Sequence, residues 1–142
     1  MTTVETAERK GHLRATIFYV LALALAAALW VSFDAPETGP RQAIWVALAT
    51  ASAMNLAPLL RWLKPHSPVA TLLEDETSRE HRRTATAAGF WSALGAMALL
   101  LAVTDDHDAV LSGYDAARLI ATVAIVAGLV VFATLERRAA RD

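Results

Sequence analysis

Four apolar runs of about twenty residues, at 15–33, 42–60, 84–103 and 116–135, are separated by short polar stretches. A hydrocarbon core ~30 Å thick needs about 20 apolar residues in helical form to cross it, so each run has the length of a membrane span. None shows the period-two alternation of a barrel strand, and each is longer than an ordinary soluble core helix. Composition agrees with this reading: 56% of the 142 residues are hydrophobic and 19% charged, against about a quarter charged in a typical soluble domain. A soluble globule and an outer-membrane barrel are thereby excluded, and the lack of cysteine excludes a disulfide scaffold and thiolate chemistry. The expected fold is an all-α membrane protein, one four-helix transmembrane domain over residues 1–142.

Basic residues in short loops set orientation. The N-terminal segment, the loop from Arg61 to Arg83 and the C-terminal tail hold eleven of the thirteen Lys and Arg residues. The other two connections carry Asp34, Glu37, Asp105, Asp106, Asp108 and Asp115, with only Arg41 and Arg118 nearby. Both termini are therefore expected in the cytoplasm, and an even number of spans agrees. A cleaved signal peptide is the competing reading of the first run. Nineteen uncharged residues are long for an h-region of about 7–15, and cleavage would put the next basic loop on the wrong side. The excess of Arg over Lys suggests a bacterial source, hence the inner membrane.

Lipid tails are as apolar as leucine, so helices in a bilayer associate through close backbone approach and a few polar contacts. Small residues four apart mark candidate faces. The second run has Ala43-Ala47-Ala51 and Ala49-Ala53-Ala57; the third has Ala85-Gly89-Ala93 and Ala88-Ser92-Ala96; the fourth has Ala124-Gly128. Gly89 and Gly95 cost helix propensity unless they permit tight packing, which places the third span at the expected bundle centre. Asn55 and Pro58 suggest a kinked, polar-lined end to the second span. Helix packing is thus assigned to Gly89, Ala93, Gly95, Asn55, Pro58 and Gly128. Trp30, Trp45 and Trp62 read as an interfacial aromatic belt, and Trp91, deeper, as packed on a neighbour.

No run carries an ionisable residue in its interior, where ion- and proton-coupled transporters keep one; Arg14, Arg118 and Glu136 are terminal and can snorkel. The cluster Asp105, Asp106, His107 and Asp108 offers oxygen ligands but lacks EF-hand spacing, so it reads as an acidic loop, with Asp115 as N-cap of the fourth helix. No metalloprotease, nucleophile-elbow or phosphate-loop motif occurs. A non-enzymatic protein without metal or cofactor, and without direct nucleic-acid binding, is expected.

The informative polar segment is the helical loop 67–83. Ser67-Pro68 and Thr71 with Glu74 offer two helix starts, and the chain then runs without a breaker into the third span. The third helix should therefore extend into the cytoplasm. Asp75 with Arg79 and Glu80 with Arg83 have ion-pair spacing. The expected docking residues are Leu72, Leu73, Glu74, Asp75, Glu76, Arg79, Arg82 and Arg83.

The stretch from Leu73 to Arg83 (LEDETSREHRR), followed by Ala85 and Ala88-Gly89-Phe90-Trp91, resembles small four-helix bacterial inner-membrane proteins of uncharacterised function with an Asp-Glu, Arg, Arg, Ala signature before their third span. The resemblance implies a gene neighbour encoding a small helix-turn-helix regulator, in some pairs held by its membrane partner. It carries that role onto Asp75, Glu76, Arg79, Arg82 and Arg83. The expected function is binding or sequestration of a soluble cytoplasmic protein by a bilayer-embedded chain, monomeric or homodimeric. The alternative is a small, dimeric transporter or pore.

Overall fold

A computed structural model describes residues 3–33, 39–56, 76–103 and 111–139, and these form four α-helices. They are α1 (Thr3–Phe33), α2 (Gly39–Leu56), α3 (Glu76–Val103) and α4 (Gly113–Ala139). Three of them contain segments long and apolar enough to cross a membrane: Leu13–Val31, Ser78–Val103 and Gly113–Ala139. The eighteen described residues of α2 include Arg41, Gln42 and Asn55, and residues 57–60 of its expected span lie outside the described set.

The helices form because their interiors are rich in Ala and Leu and free of proline. Pro40 occupies the second position of α2, where its missing N–H breaks no helical bond. At the start of α4, Ser112 is the N-cap. Its Oγ accepts from the Asp115 backbone N–H at 3.1 Å and donates to Asp115 Oδ2 at 2.6 Å. Asp115 is therefore the third helical residue and not the cap expected from the sequence. Its charge still complements the N-terminal end of the helix dipole.

Contacts between helices define an up-down-up-down arrangement. Tyr19 meets Thr134 and Phe18 meets Phe132, while Ala15 and Thr16 share a small cleft with Arg137; α1 is thus antiparallel to α4. Gly89 faces Ala124 and Gly128 faces Ala85, so α3 is also antiparallel to α4. Trp45 reaches Thr122 and Leu56 reaches Gly128, so α2 runs parallel to α4. One end of the bundle consequently gathers Arg14, Arg79, Arg82, Arg83, Arg137 and Arg138, whereas Arg41 and Arg118 lie toward the other.

The centre is α4, not α3. The buried residues Arg118, Thr122, Gly128, Leu129, Phe132 and Ala133 follow one another along α4, which touches all three other helices; α2 and α3 scarcely meet. Among the described side-chain positions of α3 only Ala85 and Gly89 are buried, and Phe90, Trp91, Leu99 and Leu101 face outward. Gly89 explains the contact. A Cβ there would stand 2.7 Å from the Ala124 carbonyl oxygen, so only glycine lets the two backbones approach this closely. Gly128 works similarly, with the Ala85 carbonyl oxygen 3.3 Å from where its Cβ would be. Gly95 has open space around it and does no packing; it lies beyond the stripe that faces α4.

Two threonines of α4 serve as matching junctions. Thr122 donates to the Arg118 carbonyl at 2.8 Å and accepts from Trp45 Nε1 at 3.0 Å. Thr134 donates to the Val130 carbonyl at 2.7 Å and meets Tyr19 Oη at 2.8 Å. With the threonine proton directed to its own helix, the tyrosine is the donor. Each junction satisfies an aromatic polar tip without burying an orphan group. Trp45 is accordingly a bundle contact and not part of an interfacial belt, and the Arg118 guanidinium lies over its ring at 5.2 Å from the centroid. Arg118 is buried, in place of the expected snorkelling. At the opposite end the Arg14 guanidinium lies 5.0 Å from the Phe132 centroid.

The inward face of α2 is Trp45, Ala49, Ser52 and Leu56; Ala43, Ala47 and Ala51 are exposed. Asn55 donates to the Ala51 carbonyl of its own helix at 2.8 Å and bridges to no neighbour among the described residues, and Pro58 lies outside them. Trp91 is exposed, its ring edge-on to Phe90 at 5.6 Å, where packing on another helix was expected.

Two stability measurements follow from this packing. Gly89→Ala should destabilise the bundle by about 1–3 kcal/mol, the usual cost of forcing a methyl into a filled contact, while Gly95→Ala should leave it unchanged or slightly firmer. Reversible unfolding in mixed micelles distinguishes them, and equal effects at the two sites would contradict the register. Ser52 is fully buried with its hydroxyl unpaired among the described residues. Ser52→Ala should therefore be neutral or stabilising by up to about 1 kcal/mol in the same assay, since it removes an unsatisfied polar group.

Candidate functional site

Because α2 and α3 diverge over α4, a groove of about 700 Å³ opens between them. It starts at the arginine-rich end of the bundle and descends along α3. Arg79, Arg82, Arg83, Thr86 and Phe90 follow the i, i+3, i+4, i+7, i+11 spacing of one helical face, so a basic stripe passes into an apolar one. The far wall is Ala124, Ile125 and Gly128 of α4, and Ala53 and Leu56 close it from α2. Small residues make the space. The positions facing the groove from three helices include two glycines and three alanines, which bring backbones together at the base and leave little side chain above it.

The mouth is polar in a particular way. Ser78 Oγ donates to Glu136 Oε1 at 3.3 Å, and His81 Nδ1 lies 3.4 Å from the same oxygen. His81 and Glu136 expose only 14% and 13% of their side chains. The carboxylate of α4 thus holds the first two turns of α3 in place and is occupied by them. Thr86 Oγ1 bonds the Arg82 carbonyl at 2.8 Å, so its hydroxyl is also committed. What remains toward solvent is guanidinium, that of Arg79 and Arg83, both exposed; Arg82 beside them is half-buried. Among the described residues neither Arg79 nor Arg83 pairs with a carboxylate, although Glu80 has ion-pair spacing to Arg83. Glu80 is exposed and, unlike the three arginines, does not line the groove.

Of the residues assigned to docking from the sequence, the structure brings Arg79, Arg82 and Arg83 together at this mouth. Glu76 opens α3, and its side chain is outside the described set, as are Leu72, Leu73, Glu74 and Asp75. The expected helix starts at Ser67 and Thr71 likewise lie outside it, so the described part of α3 begins about two turns before Thr84. Of the packing set, Gly89 and Gly128 line the groove; Ala93 is half-buried and Gly95 exposed. The acidic cluster Asp105–Asp108 falls outside the described residues. Sequence reading missed the Ser78–His81–Glu136 junction. Glu136 looked like a terminal charge, and only the antiparallel register of α3 and α4 brings it opposite His81. Chemically, the site offers cationic donors above an apolar cleft, suited to holding an amphiphilic anion or an acidic surface.

Removing the shared acceptor tests the junction. Glu136→Ala should cost about 1 kcal/mol of bundle stability, the net value of modest hydrogen bonds, and should speed amide exchange at the first turn of α3 while leaving the Gly89 region protected. Uniform exchange across α3 would show that the junction does not hold the helix start. Comparisons with protein-family models, with curated proteins and with solved structures found no match, so what the site does is argued from its residues.

Proposed function

We propose that the chain is a non-enzymatic, four-span protein of the bacterial inner membrane, with both termini cytoplasmic, that binds a soluble cytoplasmic partner at the charged head of α3. In this arrangement the arginine-rich end of the bundle faces the cytoplasm as the positive-inside rule requires. The observation that carries the docking reading is the head of α3 itself. Before Thr84 it exposes Arg79, Glu80 and Arg83 on a helix whose orientation Glu136 fixes. A charged surface held in place loses little conformational freedom on binding and therefore favours a specific partner over non-specific adhesion. The partner implied by the sequence resemblance is a small helix-turn-helix regulator, held at the membrane and kept from its DNA.

A photo-crosslinking residue at position 80, irradiated in native membranes, tests the reading. One soluble protein should be captured, and once purified it should bind the reconstituted chain directly. Asp75→Lys with Glu76→Lys should weaken that binding at least about tenfold, the effect of placing like charges where opposite ones met. If no soluble adduct forms, or the charge reversal leaves binding intact, the docking reading fails. Solute flux through liposomes carrying the purified chain would then favour the transporter alternative.

A further inference from the structure

We propose that the groove between α2, α3 and α4 is a site for one anionic phospholipid, its headgroup phosphate on Arg79 and Arg83 and one acyl chain in the cleft beneath. The inference rests on the membrane setting of the helices and not on the soluble partner. Three observations converge on it.

The first is the change of chemistry along a single face of α3. The three arginines lie just before Thr84, where the apolar run begins, and Thr86, Gly89 and Phe90 continue down the same groove. At 1.5 Å per residue, Arg83 to Phe90 spans about 10 Å, within the ~15 Å that one leaflet of a ~30 Å hydrocarbon core provides. The polar mouth thus falls at the headgroup level and the apolar cleft at the level of acyl chains. A soluble protein reaches the first but not the second.

The second is charge. Guanidinium groups match phosphate oxygens with paired N–H donors, and basic pockets between helices at this depth suit anionic headgroups. Arg79 and Arg83 face no carboxylate among the described residues, while the nearby Glu136 is engaged by Ser78 and His81. An uncharged lipophile would leave the arginine rim unused. A second copy of this chain would bring its own arginine rim against the first.

The third is volume and wall chemistry. About 700 Å³ is within the range of ~300–1,000 Å³ that small-molecule sites occupy. The hydroxyls of Ser78 and Thr86 are turned to Glu136 and to the Arg82 carbonyl. Below the arginines the walls are Ala53, Leu56, Ala85, Ile125 and the two glycines, and among the described residues the one polar side chain there, Thr86, has its hydroxyl committed to the Arg82 carbonyl.

Native mass spectrometry of the purified chain tests this, with phosphatidylglycerol and phosphatidylcholine of identical acyl chains added in equal amounts. The wild type should retain one phosphatidylglycerol in preference to phosphatidylcholine by about tenfold or more, and millimolar inorganic phosphate should not displace it. Arg79→Gln with Arg83→Gln should abolish the preference. Ala53→Phe, which fills the cleft from α2, should reduce retention of both lipids, and Phe90→Ala, which widens it, provides a second variant should the first not fold. Equal retention of the two lipids by the wild type overturns the proposal. Displacement by inorganic phosphate also overturns it, marking a plain anion site, as does preference unchanged in the arginine variant. No soluble protein is present in this assay, so its outcome is independent of the docking experiment.

Discussion

The backbone approach of α3 to α4 at Gly89 organises this molecule. With the Ala124 carbonyl 2.7 Å from where a Cβ would stand, the two helices are as close as peptide backbones allow, and Gly128 continues the contact toward Ala85. In lipid, where apolar area gives no preference for a neighbouring helix over an acyl chain, such approach supplies dispersion contacts that lipid cannot match. It also fixes register. Once Gly89 is opposite Ala124, the first turns of α3 are opposite Glu136, and the Ser78–His81–Glu136 junction follows. The groove is the other product: α3 sits low against α4, α2 is attached elsewhere, and the space between them stays open.

The second organising device is the pair of threonines on α4. Thr122 and Thr134 each return their proton to their own helix and offer an oxygen to an aromatic donor across the interface, Trp45 in one case and Tyr19 in the other. α1 and α2, which pack on α4 through side chains, each add one hydrogen bond to a single threonine oxygen. A hydrogen bond of this kind is worth about 1 kcal/mol or less between membrane helices. Its value lies in specifying rotation about the helix axis, which glycine contacts leave less constrained.

Helical character, the apolar stretches and the importance of Gly89 and Gly128 were legible in the sequence, because length and small-residue spacing are properties of one helix. What was not legible depends on which face meets which neighbour. Gly89 and Gly95 look alike in a string, yet they sit on different faces, and only one meets a backbone. Trp45 near a helix end has the position of an interfacial anchor, and Arg118 that of a snorkelling cation; yet Trp45 turns inward to Thr122, and Arg118 lies over its ring. The centrality of α4 escaped for the same reason, since its own residues do not say which neighbours its sides will meet. At the site, the arginines of α3 were visible as charges. The cleft beneath them, made by three helices of which none is hollow alone, was not.

That α4 is the common neighbour of α1, α2 and α3 bears on how the bundle is assembled. Synthesis runs from the N-terminus, so three helices are made before the one to which each of them is fitted. Until then Phe18 lacks Phe132, Trp45 lacks Thr122 and Gly89 has no carbonyl to approach. The contacts of the first three helices with α4 are thus completed only when α4 has been made. The fold is therefore closed by its last helix, and a chain lacking α4 would leave the other three without their common neighbour.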